Sequence, residues 1–214
     1  MKIMNGIFIK IAVIGAVLLM MPISYLYASS VREVSTDELI QQSQFVFEGN
    51  VTGVESKLND QNRIHTHVTF SITDVLKGSY DKNVITLRFL GGTVGEVTMS
   101  VSDMKIPQIG EHGIYFVESL ERNQINPFYG SSQGHFLVGR DASGIDRVMT
   151  SSKHPVKSVL VKKSNKQTIT EMEGVLTLSK CAAADIVVDS DNKLENGLSL
   201  EDFKSVMRQK RDKK

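Results

Sequence analysis

Along most of this chain apolar and polar side chains alternate with a period of two, and the alternation breaks at glycine-bearing turns. The clearest stretch follows the polar turn Asn59 to Asn62. Ile64, Val68, Phe70 and Ile72 fall on one side, and His65, His67, Thr69, Ser71 and Thr73 on the other. That is the pattern of a half-buried antiparallel strand, and Lys77-Gly78-Ser79 ends it. An earlier β-rich segment carries Phe45, Phe47, Val51 and Val54, with Gly49 and Gly53 placed for bends or bulges. Further strands are predicted at Val84 to Phe89, closed by Gly91-Gly92, then around Val94 to Val101, Gly113 to Glu118 and His135 to Gly139. Ile145 to Thr150 returns after the turn Asp141 to Gly144.

The period becomes helical in two places. Ser35 and Glu38 make an S-x-x-E capping box with Val34 and Leu39 as its hydrophobic staple, so a helix is predicted over Thr36 to Ser43. Near the other end Ser199 and Asp202 cap a helix, Leu198 and Phe203 staple it, and Leu200, Phe203, Val206 and Met207 form one apolar stripe. Basic residues in its last turn complement the helix dipole. Short strands with hardly any helix between them predict a mainly β fold: an antiparallel OB-like barrel with a short N-terminal helix and a C-terminal helical extension. An α/β sheet would need crossover helices that the pattern lacks.

Before the first of these elements lies a different kind of segment. Lys2 and Lys10 bracket a start with no acid, Ile11 to Tyr27 is almost wholly apolar, and Ala28, Ser29 and Ser30 follow. This is the layout of a secretory signal peptide, with cleavage expected after Ala28. The apolar run also has about the length of a membrane span, so an uncleaved anchor is the rival reading. The expected organisation is a signal over residues 1–28, a β-barrel domain over 29–150, and a linker or edge segment with the C-terminal helix over 151–214. Lys153 to Lys166, rich in Lys and Ser, reads as a linker or edge strand. The mature protein is expected to be secreted or periplasmic, and to meet a membrane only if the first segment is retained.

Charge narrows the partners. The signal holds two lysines and no acid, so the 25 basic and 24 acidic residues of the chain reduce to 23 and 24, a net charge of −1. A nucleic-acid binder needs a positive surface to replace phosphate counterions, so that class is set aside. Cys181 is the single cysteine, which leaves the fold to hydrophobic burial and strand pairing, with Cys181 itself expected to be buried.

Phe45-Val46-Phe47-Glu48-Gly49-Asn50-Val51-Thr52, the strand Thr66 to Ile72, and Asp74-Val75-Leu76-Lys77-Gly78 follow one another in an order that resembles the netrin-like modules related to tissue inhibitors of metalloproteinases. Those modules use an OB-type barrel. The continuation, Leu87 to Gly92 and then Gly110-Glu111 before Ile114 to Val117, is similar to a group of uncharacterised exported bacterial proteins. The resemblance covers about residues 37 to 139 and implies the barrel. The inhibitors present an N-terminal cysteine to the protease zinc, and here no cysteine precedes residue 181, so the resemblance does not bring inhibition with it.

Few residues point to chemistry. Gly130-Ser131-Ser132-Gln133-Gly134 matches G-x-S-x-G, but the strand-like Phe136-Leu137-Val138 follows where a nucleophile elbow needs a helix. A tight turn is expected; the enzymatic reading keeps Ser132 as nucleophile and His135 or His154 as base, with no acid assigned. His65 and His67 leave one face of a strand and could share a metal, with His112, His135 or His154 as third ligand. Solvated polar-face residues are the expectation. Asp189, Asp191 and Glu195 lack the glycine and glutamate of a calcium loop and read as a solvated loop. The Gly91-Gly92 pair suits a bulge or close strand crossing better than a phosphate cradle. The expected function is an exported non-enzymatic binding or interaction module for an unknown protein or extracellular ligand, with no cofactor. A small secreted hydrolase or metal-dependent enzyme using Ser132 or His65/His67 is the alternative.

Overall fold

Ser35 caps the first helix as expected: its Oγ accepts from the Glu38 N–H at 3.2 Å, and α1 spans Thr36–Gln42. The computed structural model describes residues 32–102, 104–160 and 182–213. The signal segment 1–28, Cys181 and the second half of the Lys153 to Lys166 stretch lie outside the described residues. From α1 the chain runs through β1 (Phe45–Leu58), β2 (Ile64–Lys77), β3 (Val84–Leu90), β4 (Gly92–Val94), β5 (Val97–Met99), β6 (His112–Val117), β7 (His135–Arg140), β8 (Asp146–Thr150), β9 (Val156–Val159) and β10 (Ile186–Val188) to α2 (Leu200–Asp212). No helix among the described residues is long and apolar enough to cross a membrane.

The fold is mainly β and antiparallel. Six strands form one sheet in the order β3-β2-β1-β6-β7-β8, and β4-β5 and β9-β10 form two small ribbons. One strand expectation changes. The single strand foreseen around Val94 to Val101 is the hairpin β4-β5, because Gly95 takes a φ of 59° in the two-residue loop between Val94 and Val97. The stretch from Lys153, expected as a linker or edge strand, contains the strand β9, which is held against β10.

β1 organises both layers. Its register against β2 shifts three times, between Val46 and Phe47, Glu48 and Gly49, and Val51 and Gly53, and such bulges increase twist and bend a strand. Gly49 sits where a Cβ would lie 2.6 Å from the Ser71 carbonyl oxygen, so only glycine lets β1 and β2 approach this closely. The bend curls the sheet around an aromatic core of Phe45, Phe47, Phe70, Phe89, Tyr115 and Phe128. In a flat sheet β3 and β6 would stand about 14 Å apart, three strand spacings. Here the Phe128 ring lies 5.2 Å from that of Phe89 on β3 and 5.4 Å from that of Tyr115 on β6.

The segment carrying Phe128 also spans the gap through its backbone. Phe128 bridges Val117, Tyr129 N–H donates to the Phe116 carbonyl at 2.9 Å, and Glu118 N–H donates to the Pro127 carbonyl at 2.9 Å. Toward β3 it offers one bond, Leu90 N–H to the Ile125 carbonyl at 2.9 Å.

The opposite face of the sheet is covered by helices. Val46, Leu76, Ile114, Phe116 and Phe136 pack with Leu39 and Ile40 of α1 and with Phe203 and Met207 of α2. Phe203 and Met207 are fully buried, so the C-terminal helix is part of the core and not a peripheral extension. Ser199 caps it through the Asp202 N–H at 3.1 Å. An ion network holds it in place. Lys204 Nζ reaches Glu48 at 2.9 Å, Asp74 at 3.2 Å and Glu201 at 2.7 Å; Arg208 reaches Asp74 at 2.6 Å; Lys210 reaches Asp37 at 2.6 Å and Asp185 at 3.2 Å. Hydrogen bonding from His112 and Lys204 holds the Glu48 carboxyl below its ordinary range against the opposing effect of burial. Burial pulls Lys204 down, yet Glu201, Glu48 and Asp74 together raise it.

Phe70 fills the aromatic core while its neighbour Ser71 is only half-buried. Phe70→Ala is expected to lower stability by about 3–5 kcal/mol, and Ser71→Ala to stay within about 0.5 kcal/mol of the parent. Urea unfolding of the two variants checks the assignment of faces; the reverse order would contradict it.

Candidate functional site

The bulge at Thr52 transfers β1 from one environment to another. Before it, Val46 and Glu48 face the helices; after it, Gly53, Glu55 and Lys57 continue that same face beyond the reach of α2. The strand registers align three cross-strand rows there: Gly53–Thr69–Thr86, Glu55–His67–Arg88 and Lys57–His65–Leu90. Because Gly53 has no side chain, the first row is low, and the surface dips into a groove of about 450 Å3 lined by Gly53, Val54, Glu55, Lys57, His67, Thr69 and Thr86.

Polar chemistry is concentrated in this half-face. Glu55 and Lys57 pair at 2.8 Å, and the hydroxyls of Thr69 and Thr86 are 3.1 Å apart. His67 Nδ1 is buried without a hydrogen-bond partner among the described residues, as is Arg88 Nε beside it in the row. His67 therefore stands where the sequence places it, on the polar face of β2. His65 departs from expectation. It is only 9% exposed, because it sits on the middle strand of three between Lys57 and Leu90. Burial, then repulsion from Arg88, lower its pKa.

The third histidines foreseen for a metal are dispersed. His112 turns to the helix-covered face and bonds Glu48 at 2.9 Å, and His135 lies inside the aromatic core. Among the described residues no three His, Cys, Asp or Glu side chains gather into a group that could hold a metal ion.

Ser132 and His135 lie on one short stretch, as their spacing requires. Residues Ser131–Gly134 form a single 3-10 turn entered through Gly130 and Ser131 at φ 68° and 58°, and β7 follows at once with His135. Both Ser132 and His135 are buried, which sequence could not show. The His135 ring stacks on Tyr115 at 5.1 Å and leans on Phe128 at 5.6 Å. Glu111, overlooked in the sequence, brings its Oε2 to 3.8 Å from His135 Nε2, too long for a hydrogen bond. Ser132 Oγ and both His135 nitrogens have no hydrogen-bond partner among the described residues, so the serine and the imidazole are not joined.

Burial dominates the protonation of this cluster. It pushes His135 down to about 3, with Lys105 adding to the shift, and pushes Glu111 up. Tyr115 is raised by burial and by Glu111. The favoured state is a neutral imidazole beside a carboxyl that resists ionisation. A base of such low pKa is poorly matched to proton transfer near neutrality.

The remaining sequence candidates are accounted for by local structure. Asp189 is buried, contrary to the solvated loop expected, because it accepts from Lys193 N–H at 2.9 Å and Asn196 Nδ2 at 3.1 Å. Those bonds hold its carboxyl below the ordinary range, while Asp191 and Glu195 stay exposed. Gly92 has a φ of 127°, and a Cβ there would collide with Thr66 Oγ1 and Ser56 Oγ, a close strand crossing as expected. Compared with protein-family models, curated proteins and solved structures, the chain has no match in any of the three.

His135 makes a pH-dependent contribution whose sign is determined. Between pH 6.5 and about 3 the unfolded chain binds a proton at this residue that the folded chain refuses, so stability falls as the pH drops through that window. Glu111 opposes this in the region just above pH 4.5, where the folded state takes its proton first. The slope from His135 is expected to approach about 1.4 kcal/mol per pH unit. His135→Phe, which keeps the aromatic stack, should flatten the profile below pH 6.5 in chemical denaturation series. An unchanged slope would show that the imidazole titrates as in water.

Proposed function

We propose that this protein is an exported, non-enzymatic binding module built on an OB-like barrel, and that it takes its ligand on the half-face of β1, β2 and β3 left uncovered by α2. The groove over Gly53 carries this reading: it is the place where a missing side chain, a paired acid and base, two hydroxyls and an unpartnered imidazole nitrogen meet on rigid strands. Sites on strands hold their groups in fixed geometry without ordering a loop on binding.

The barrel is supported by the curled sheet and by the 125–129 segment, which contacts both β6 and β3. Ladder order alone leaves the sheet open, with β3 and β8 at its edges. Export is supported by the charged, apolar and small-residue succession of residues 1–28. The ligand is expected to be a polar protein surface or extracellular molecule, since the groove offers charges and hydroxyls in place of an apolar pocket.

Gly53 provides a clean test. A Cβ there would meet Thr69 Cβ at 3.6 Å, ordinary contact, and its backbone is not left-handed, so a side chain is tolerated. Gly53→Leu should therefore fold normally yet fill the groove. Capture from the extracellular fraction of the source cells, compared between parent and variant, is expected to lose a saturable ligand in the variant. Equal capture by both proteins would remove the groove from the account.

A further inference from the structure

Among the described residues the outer hydrogen-bonding side of strand β3 is almost entirely open. Leu90 N–H points away from β2 to the Ile125 carbonyl, whereas Gly91 N–H returns to the Ile64 carbonyl at the start of β2. Backbone groups alternate in direction along a strand, so Val84, Thr86 and Arg88 send their N–H and C=O groups outward with Leu90. Among the described residues no backbone group pairs with these three on that side. The outward row contains no proline, and Arg88 is its one charged residue, so it carries little of the usual protection of a sheet edge.

The loop 119–127 stands across from this edge and leaves a slot of about 120 Å3 lined by Thr86, Leu87, Arg88, Leu120, Gln124 and Pro127. Two buried side-chain atoms of that lining have no partner among the described residues: Arg88 Nε, a donor, and Gln124 Oε1, an acceptor. One donor and one acceptor beside the outer edge of β3 are the complement of a peptide group, whose carbonyl would meet Arg88 and whose N–H would meet Gln124. Exposed Val84 and Ile125 flank the edge and offer apolar contact to alternate side chains.

We propose that β3 accepts an extended segment of a partner polypeptide as an added strand, paired to the outward groups of Val84, Thr86 and Arg88 and anchored by Arg88 and Gln124. Main-chain bonds supply affinity in this mode, and the slot supplies selectivity through a single inserted side chain. The proposal shares the binding reading given above but takes its bonds from the outward backbone of β3, where Thr86 also lines the groove through its side chain.

The test pans a random linear heptapeptide library on the isolated protein and maps the best peptide by amide hydrogen exchange. Protection of the Thr86 and Arg88 amides is expected on peptide binding. Affinity should fall at least tenfold in Thr86→Pro, which removes an outward N–H at a position where edge strands tolerate proline. The same loss is expected in the double variant Arg88→Ala/Gln124→Ala, which leaves the β3 backbone unaltered. Gly53→Leu keeps every outward group of β3, so loss of peptide binding in this variant with the edge variants unaffected would place the peptide in the groove and overturn the proposal. A peptide footprint elsewhere, no binder at all, or a concentration-dependent dimer burying the same amides would each overturn the proposal.

Discussion

Strand β1 is buried on both faces over its first half, and the rest of the structure depends on that constraint. Phe45, Phe47 and Val51 enter the aromatic core, while Val46 and Glu48 lie under the helices. A strand sandwiched in this way cannot slip, because a one-residue shift would exchange the faces and drive Glu48 into the aromatic side. Its bulges bend the sheet around Phe70, Tyr115 and Phe128, and the bend brings the 125–129 segment within reach of β3.

The same constraint decides where the surface is available. Lys204 is anchored to Glu48 and Asp74, so α2 lies over one half of the outer face and cannot slide along it without leaving a buried carboxylate uncompensated. Removing one member of such a pair is costly, of order 3–5 kcal/mol, even where the pair adds little net stability. The other half of the face, with Gly53, His67 and Thr69, is left outside the helix, and beside it lies the unpaired edge of β3. Binding groups are therefore carried by the same strands whose other ends form the core.

Local rules made much of this legible. The caps at Ser35 and Ser199 form as written, the even positions of β2 from Ile64 to Phe70 are buried, and the stripe of Phe203 and Met207 meets the sheet. What sequence could not convey depends on pairing between distant segments. His65 is polar and alternates correctly, yet its neighbours on β1 and β3 bury it. Glu111 and His135 are 24 positions apart and meet because β6 and β7 pair. Lys204 sits on a helix face that reads as solvated until Glu48 and Asp74 arrive from β1 and β2. The open side of β3 has no residue signature at all, since it is made of backbone.

A closely packed, two-faced β1 supports a wall whose edge at β3 is open among the described residues. Native-state hydrogen exchange on the ligand-free protein tests it most directly. The amides of Phe47 to Gly49 should exchange only through global unfolding, and that of Leu90 should be protected by Ile125. Those of Thr86 and Arg88 should exchange at nearly the rate of an unstructured chain. Strong protection at Thr86 and Arg88 in the free protein would mean that the edge is already covered, and would contradict the account.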